Sequence, residues 1–179
     1  MKEPGLHNNK GDNELPGSLK VPPLEGLREA VRQILETVTD PEIPVLTIAD
    51  MGIVRDIKIN GDGVEVIITP TYTGCPAMDM IAMNIKLALL EKGFVNVKVT
   101  PVLSPAWTTD WMSEEGKRKL EAYGIAAPDK RFAIPKDGVE CPQCHSANTR
   151  VISEFGSTAC KALYQCNDCK EPFDYFKCH

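Results

Sequence analysis

Cys141-Pro142-Gln143-Cys144 and Cys166-Asn167-Asp168-Cys169 decide how the end of this chain folds. Two thiols separated by two residues can face one ion from a single tight turn. The 21 residues between the pairs (166 − 144 − 1) leave room for strands, over 149–155 and 162–165, that carry the second turn opposite the first. The spacing therefore predicts a ribbon over 139–179 closed on one ion by Cys141, Cys144, Cys166 and Cys169. A segment of about 40 residues buries too little surface to fold unaided, so metal binding supplies the missing stability. A closed set of four sulfurs favours structural zinc, although four thiolates also suit rubredoxin-like iron or a cluster. Cys160, Cys178, His145 and His179 are further candidate ligands, although Cys160 reads first as a small buried residue of the ribbon.

Outward from the ribbon, residues 124–138 carry Gly and Pro breaks without periodicity and read as a linker. Residues 24–123 read as a separate domain. Leu27, Val31, Ile34, Leu35 and Val38 recur at helical spacing, and Asp40-Pro41 ends that helix. Two β-branched runs, 53–59 and 64–69, flank Asn60-Gly61-Asp62-Gly63 and read as a hairpin. Pro76 opens a helix that Gly93 closes. Both Met78, Ile81, Ile85, Ala88, Leu89 and Met80, Met83, Leu87, Leu90 form apolar stripes on it, which predicts deep burial against the sheet. A strand over 95–102 and a polar helix over 113–123 complete an α-β-β-α-β-α order. The fold class is α+β: a small sandwich domain followed by a four-cysteine zinc ribbon. Residues 1–23 lack apolar periodicity and read as a disordered tail.

Cys75, in Thr73-Gly74-Cys75-Pro76, is the one thiol of the first domain. At the N-cap of a helix, unpaired N–H groups and the dipole would lower its pKa and make it a better nucleophile or metal ligand; the alternative is a small residue packed at a helix end. No histidine lies between residues 8 and 144, so a Cys-His hydrolase is excluded. Asp40, Glu42, Asp50 and Asp56 read first as local hydrogen-bonding residues of turns.

Asp40-Pro-Glu-Ile-Pro-Val, Asp50-Met-Gly-Ile-Val, Thr73-Gly-Cys-Pro-Ala and Pro105-Ala-Trp107 together resemble the small α/β domain of SufT-like iron–sulfur assembly factors, over residues 24 to about 123. The ribbon, with Ser153-Glu-Phe-Gly-Ser-Thr-Ala-Cys-Lys-Ala-Leu-Tyr and Glu171-Pro-Phe-Asp-Tyr-Phe-Lys, resembles the end of the D subunits of bacterial phenylacetyl-CoA oxygenase (epoxidase) systems. The resemblance implies a non-enzymatic accessory factor of phenylacetate degradation, which helps iron or iron–sulfur clusters reach the oxygenase or its reductase. It marks Cys75 as the residue that handles a transient iron or cluster, with Asp40 and Glu42 in a second motif. A single thiol coordinates weakly, so a docked client or a second protomer is expected to complete the site. Trp107 and Trp111 lie in an aromatic turn expected near it, with packing the commoner role.

Other classes fit less well. The alternative to an assembly factor is a structural subunit that stays on the oxygenase. A zinc-ribbon nucleic-acid binder is opposed by the net charge of −5 and by the ribbon itself, where four Lys and Arg face five Asp and Glu. No segment approaches the roughly 20 apolar residues of a membrane span or has the form of a secretory signal, which together with the metal-type Cys-x-x-Cys pairs predicts a cytoplasmic protein.

Overall fold

The computed structural model describes residues 24–128 and 138–177. The expected tail over 1–23, most of the expected linker, and Cys178 and His179 lie outside the described residues. The first module runs α1 (Leu24–Leu35), β1 (Val54–Asn60), β2 (Gly63–Ile68), α2 (Ala77–Glu91), β3 (Val97–Pro101), a 3₁₀ turn (Thr109–Trp111) and α3 (Glu114–Ala122). β1 and β2 form the expected antiparallel hairpin around Gly61, whose φ of +61° the turn requires. β2 pairs in parallel with β3, and α2 makes the crossover. β2 is thus the central strand, and alternation along it buries Val64, Val66 and Ile68 on the helix-covered face. Val31 and Leu35 of α1 and Ile81, Ile85 and Leu89 of α2 close that core.

Only one stripe of α2 is buried, which corrects the expectation that both lie against the sheet. Met80, Met83, Leu87 and Leu90 are each half exposed. A helix packed on one sheet face covers only one side, and α3 packs elsewhere, against the strand that follows it.

The segment between α1 and β1 has no regular structure and is held by two carboxylates. Asp40, buried, accepts from the N–H groups of Glu42 (2.8 Å) and Ile43 (2.7 Å), which shapes the 40–46 turn. Asp50 accepts from the Thr47 hydroxyl (2.9 Å), the Ser113 hydroxyl (3.0 Å) and Lys119 Nζ (2.6 Å). The next residue, Met51, offers its carbonyl to Trp107 Nε1 at 2.8 Å. Gly52 has a φ of +65°, and a Cβ there would stand 2.1 Å from the Trp111 carbonyl oxygen. No side chain fits. The Asp50-Met51-Gly52 signature therefore ties the loop before β1 to the segment that carries α3.

The second sheet has the order β4-β7-β6-β5, from Ile125–Ala126, Thr149–Ser153, Lys161–Cys166 and Pro172–Phe176 in chain order β4, β5, β6, β7. It differs from expectation in two places. Ile125 and Ala126, placed in a linker by the sequence, pair in parallel with Asp174 and Tyr175 of β7. β7 itself carries little sequence signal, because Pro172-Phe-Asp-Tyr-Phe176 is short and opens on proline. Tyr164 stacks on Phe173 (5.8 Å between centroids) and meets Tyr175 edge-on (5.7 Å), forming a small core of the ribbon's own. Phe176, Ile125 and Cys160 belong instead to the first module's core, where Phe176 meets Trp107 edge-on at 6.1 Å. The ribbon is seated on the sandwich. No helix of the described residues is long and apolar enough to cross a membrane.

Burial alone would raise the Asp50 carboxyl, but Lys119, Thr47 and Ser113 together hold it below the usual carboxylate range. A depressed carboxylate stabilises the fold above its unfolded pKa, and that stabilisation is lost as the pH falls through the folded value. Asp50→Asn is expected to cost about 1–3 kcal/mol at pH 7. Urea midpoints should show the gap between wild type and variant closing as the pH is lowered below about 4; a pH-independent gap would refute the charged network.

Candidate functional site

Two turns build the four-sulfur centre. In the first, the Cys141 carbonyl accepts from His145 N–H (2.9 Å) and Cys141 N–H donates to the Ser146 carbonyl (3.0 Å), with His145 at φ +60°. In the second, at the end of β6, Cys166 N–H donates to the Glu171 carbonyl (3.0 Å), Asp168 N–H points at Cys166 Sγ (3.4 Å) and Lys170 takes φ +70°. Asp168 joins the turns by accepting from Ser146 Oγ and from Asn148 Nδ2 (2.8 Å). Asn167 reinforces this with its N–H on the Asn148 carbonyl at 2.8 Å.

The four sulfurs lie within 4.8 Å of one another, with Cys141–Cys169 at 3.7 Å and Cys144–Cys166 at 3.6 Å. A tetrahedral ion with metal–sulfur bonds near 2.3 Å places its ligands about 3.8 Å apart, so the donor set fits such an ion as it stands. It is the only cluster of this kind among the described residues. Backbone N–H groups of Cys169 and Asp168 draw the Cys166 thiol down to about 7. His145 does not join the cluster: its Nδ1 lies 2.8 Å from Glu140 on the surface. Cys160 does not join it either.

Cys75 lies just before α2, half buried. The N-cap is Pro76 rather than Cys75. Gly74, at φ +84°, shapes the turn, in which Cys75 N–H donates to the Tyr72 carbonyl (3.3 Å). The Ala77 N–H and the Tyr72 hydroxyl act on the Cys75 sulfur to lower its pKa. The expected activation by the helix end nevertheless does not occur: burial first, then the negative charges of Glu42 and Asp40, push the thiol up. Burial and the neighbouring Cys75 push the Tyr72 phenol up to about 12. Cys75 is thus a half-buried thiol held protonated by burial and by the nearby negative charge.

The fold brings Asp40, Glu42 and Cys75 into one electrostatic neighbourhood and adds Cys160, whose Sγ donates to Glu42 Oε2 across 3.7 Å. Burial, then Glu42, pushes the Cys160 thiol up to about 11, against a hydrogen bond from Thr158 (3.0 Å). Sequence reasoning places Cys160 only among spare ribbon ligands or buried ribbon residues; a thiol ahead of the second knuckle but outside the Cys-x-x-Cys spacing is the available signal. The tryptophans are packing residues, Trp107 against Phe176 and Met51, and Trp111 beneath Arg55 at 3.6 Å.

Family models match in two places: a "PaaD zinc beta ribbon domain" over residues 127–177 and an "Iron-sulfur cluster assembly protein" over 28–100. A protein of Escherichia coli (strain K12), provisionally named as the D subunit of 1,2-phenylacetyl-CoA epoxidase, is 50% identical over 148 residues, 81% of this chain and 89% of that one. An Fe-S protein maturation auxiliary factor of Porphyromonas gingivalis (strain ATCC BAA-308 / W83) is 37% identical over 94 residues, 51% of this chain and 89% of the relative. Among solved structures, a DUF59 domain of unknown function from Bacillus anthracis superposes with a TM-score of 0.51 at 27% identity, covering 54% of this chain and 92% of that one.

Removing the ribbon's ion with a chelator is expected to unfold β5 to β7 and, because Phe176 abuts Trp107, to change tryptophan emission from the first module. Unaltered strand content and emission in verified metal-free protein would overturn the dependence of the ribbon on metal.

Proposed function

Since this chain belongs to the D-subunit family of 1,2-phenylacetyl-CoA epoxidase, we propose that it is a cytoplasmic, non-catalytic maturation factor for that oxygenase system. Its cargo is iron or an iron–sulfur cluster, and its client is an oxygenase component or the reductase. The 24–123 domain handles the cargo and the 139–179 ribbon is a structural appendage. Zinc is the resident ion of the ribbon, where Cys141, Cys144, Cys166 and Cys169 would hold it and its chemistry is to tie two turns together.

The observation that supports this reading is the setting of Cys75: a half-buried thiol that burial and the charges of Glu42 and Asp40 push up in pKa, while the Ala77 N–H and the Tyr72 hydroxyl act to lower it. Those two donors stabilise the sulfur once it has lost its proton, and the carboxylates compensate the charge of an arriving cation. Burial first, then the same carboxylates, keeps the thiol protonated until cargo arrives, which restrains its oxidation. Weak holding suits delivery, because a client with a fuller ligand set draws the cargo away. Asp40 acts through the backbone, fixing the turn that presents Glu42. Docking of a client or a second protomer is supported by the half-exposed stripe of Met80, Met83, Leu87 and Leu90 on the helix that Cys75 precedes.

A second reading, a subunit that stays on the oxygenase, is favoured by the name of the Escherichia coli relative. Active oxygenase purified with this chain in equal amount would favour the subunit; active oxygenase without it favours the maturation factor. Cys75→Ser, co-expressed with the oxygenase and reductase, is expected to lower the iron content of the client several-fold while the ribbon keeps its zinc. Full iron loading by the variant would end the role of this thiol.

A further inference from the structure

β5 is the outer strand of the second sheet, paired only with β6 among the described residues. An open edge presents unpaired backbone N–H and C=O groups, and an apolar one is a ready template for another chain. Val151 (37% exposed) and Ile152 (49%) stand on that strand, and Phe155 (60%) follows it. A register slip between Val151 and Ser153 leaves Ile152 without a partner on β6. Proline and lysine, the usual guards of an edge, are absent from Thr149–Ser153, where Arg150 is the one charged residue. Phe155 is held in place from beneath. Buried Lys177 sets its Nζ 4.3 Å from the ring centroid and donates to the Glu154 carbonyl at 2.5 Å. The Gly156 N–H donates to the Lys161 carbonyl (2.7 Å), and a Cβ at Gly156 would stand 2.6 Å from Asp174 Oδ1, which fixes the turn after Phe155. An aromatic ring fixed before binding loses little entropy on being covered. Lys177 N–H donates to the Cys160 carbonyl (2.9 Å) and the Cys160 thiol to Glu42, so this end of the ribbon is tied to the first module.

We infer that this edge is where the client is recognised: an extended acidic and apolar segment of the client adds as a strand beside β5, covers Ile152 and Phe155, and sets a carboxylate against Arg150. The inference rests on the reading of this chain as a maturation factor and gives the ribbon a task beyond its metal centre. The open ladder selects an extended backbone, because another strand satisfies its donors and acceptors in register. The charge selects an acidic segment. The Arg150 guanidinium donates to the neutral Gln165 Oε1 (2.7 Å) and has no carboxylate partner among the described residues. The relatives divide in the same sense. The Porphyromonas gingivalis maturation factor matches over 94 residues, 89% of its length, and is too short to hold both a sandwich and a ribbon of this size. The Escherichia coli D-subunit relative matches over 148 residues, more than precede the ribbon here. The relative named for Fe-S proteins in general thus has room for the first module alone, whereas the ribbon accompanies the relative named for one oxygenase. A surface that selects this client is therefore sought on the ribbon, and the β5 edge is where the ribbon exposes its large apolar side chains.

The test measures binding of the zinc-loaded full chain to each purified oxygenase component and to the reductase. Wild type is expected to bind one of them. Ile152→Lys, which places a charge on the edge, and Phe155→Ala should each weaken that binding by at least about tenfold, the loss expected of an interface anchor. Zinc content is measured on both variants, and Ile152→Lys, at a half-exposed position, is the independent arm should Phe155→Ala lose its metal. Sedimentation of the same proteins shows whether β5 pairs with a second copy of itself instead. The inference is overturned if no component binds wild type, if both zinc-loaded edge variants bind as wild type does, or if they change self-association alone. If the edge variants lose the client while Cys75→Ser still loads it fully with iron, docking at β5 stands and the cargo role of Cys75 falls.

Discussion

Four sulfurs crowded to within 4.8 Å of one another cannot all ionise unless a cation shares them, and that requirement organises more of the molecule than the ribbon. The ion draws together the turn before β5 and the end of β6, and the aromatic cluster of Tyr164, Phe173 and Tyr175 packs beside it. β6 and β7 are thereby fixed in register. The outer end of the same pair delivers Phe176 to Trp107 and Cys160 to Glu42. One coordination event at one end of the sheet thus sets the position of a thiol at the other.

The motifs of the first module divide by what their side chains touch. Asp50 and Met51 hydrogen-bond, respectively, Lys119 and Ser113, and Trp107, and Gly52 lies against the backbone at Trp111; they fix the loop before β1 against the segment that carries α3. Asp40 is spent largely on two backbone N–H groups. Glu42, in contrast, accepts from Cys160 Sγ across the junction between modules (3.7 Å). Residues that identify a family are therefore of two physical kinds, and only hydrogen-bond partners separate them.

The same distinction explains why Cys75 is not the activated thiolate that its place beside a helix end suggests. A helix terminus lowers a thiol's pKa when its N–H groups are the dominant field. Here one N–H and one phenol are outweighed by burial and two carboxylates. The consequence is a thiol that keeps its proton and is poorly suited to attack a carbon or a disulfide.

The sequence by itself determined what local rules govern: the hairpin around Gly61, the helix from Ala77 closed at Gly93, the order α-β-β-α-β-α, and the closure of Cys141, Cys144, Cys166 and Cys169 on one ion. Each depends on spacing, turn chemistry or periodicity within a few tens of residues. Tertiary structure decided the rest. Which apolar stripe of α2 meets the sheet, the recruitment of Ile125 and Ala126 to β7, and the pairing of Cys160 with Glu42, 118 residues away, depend on how two modules pack. Burial and electrostatic fields sum over every neighbour in space, and the chain's linear order does not name those neighbours.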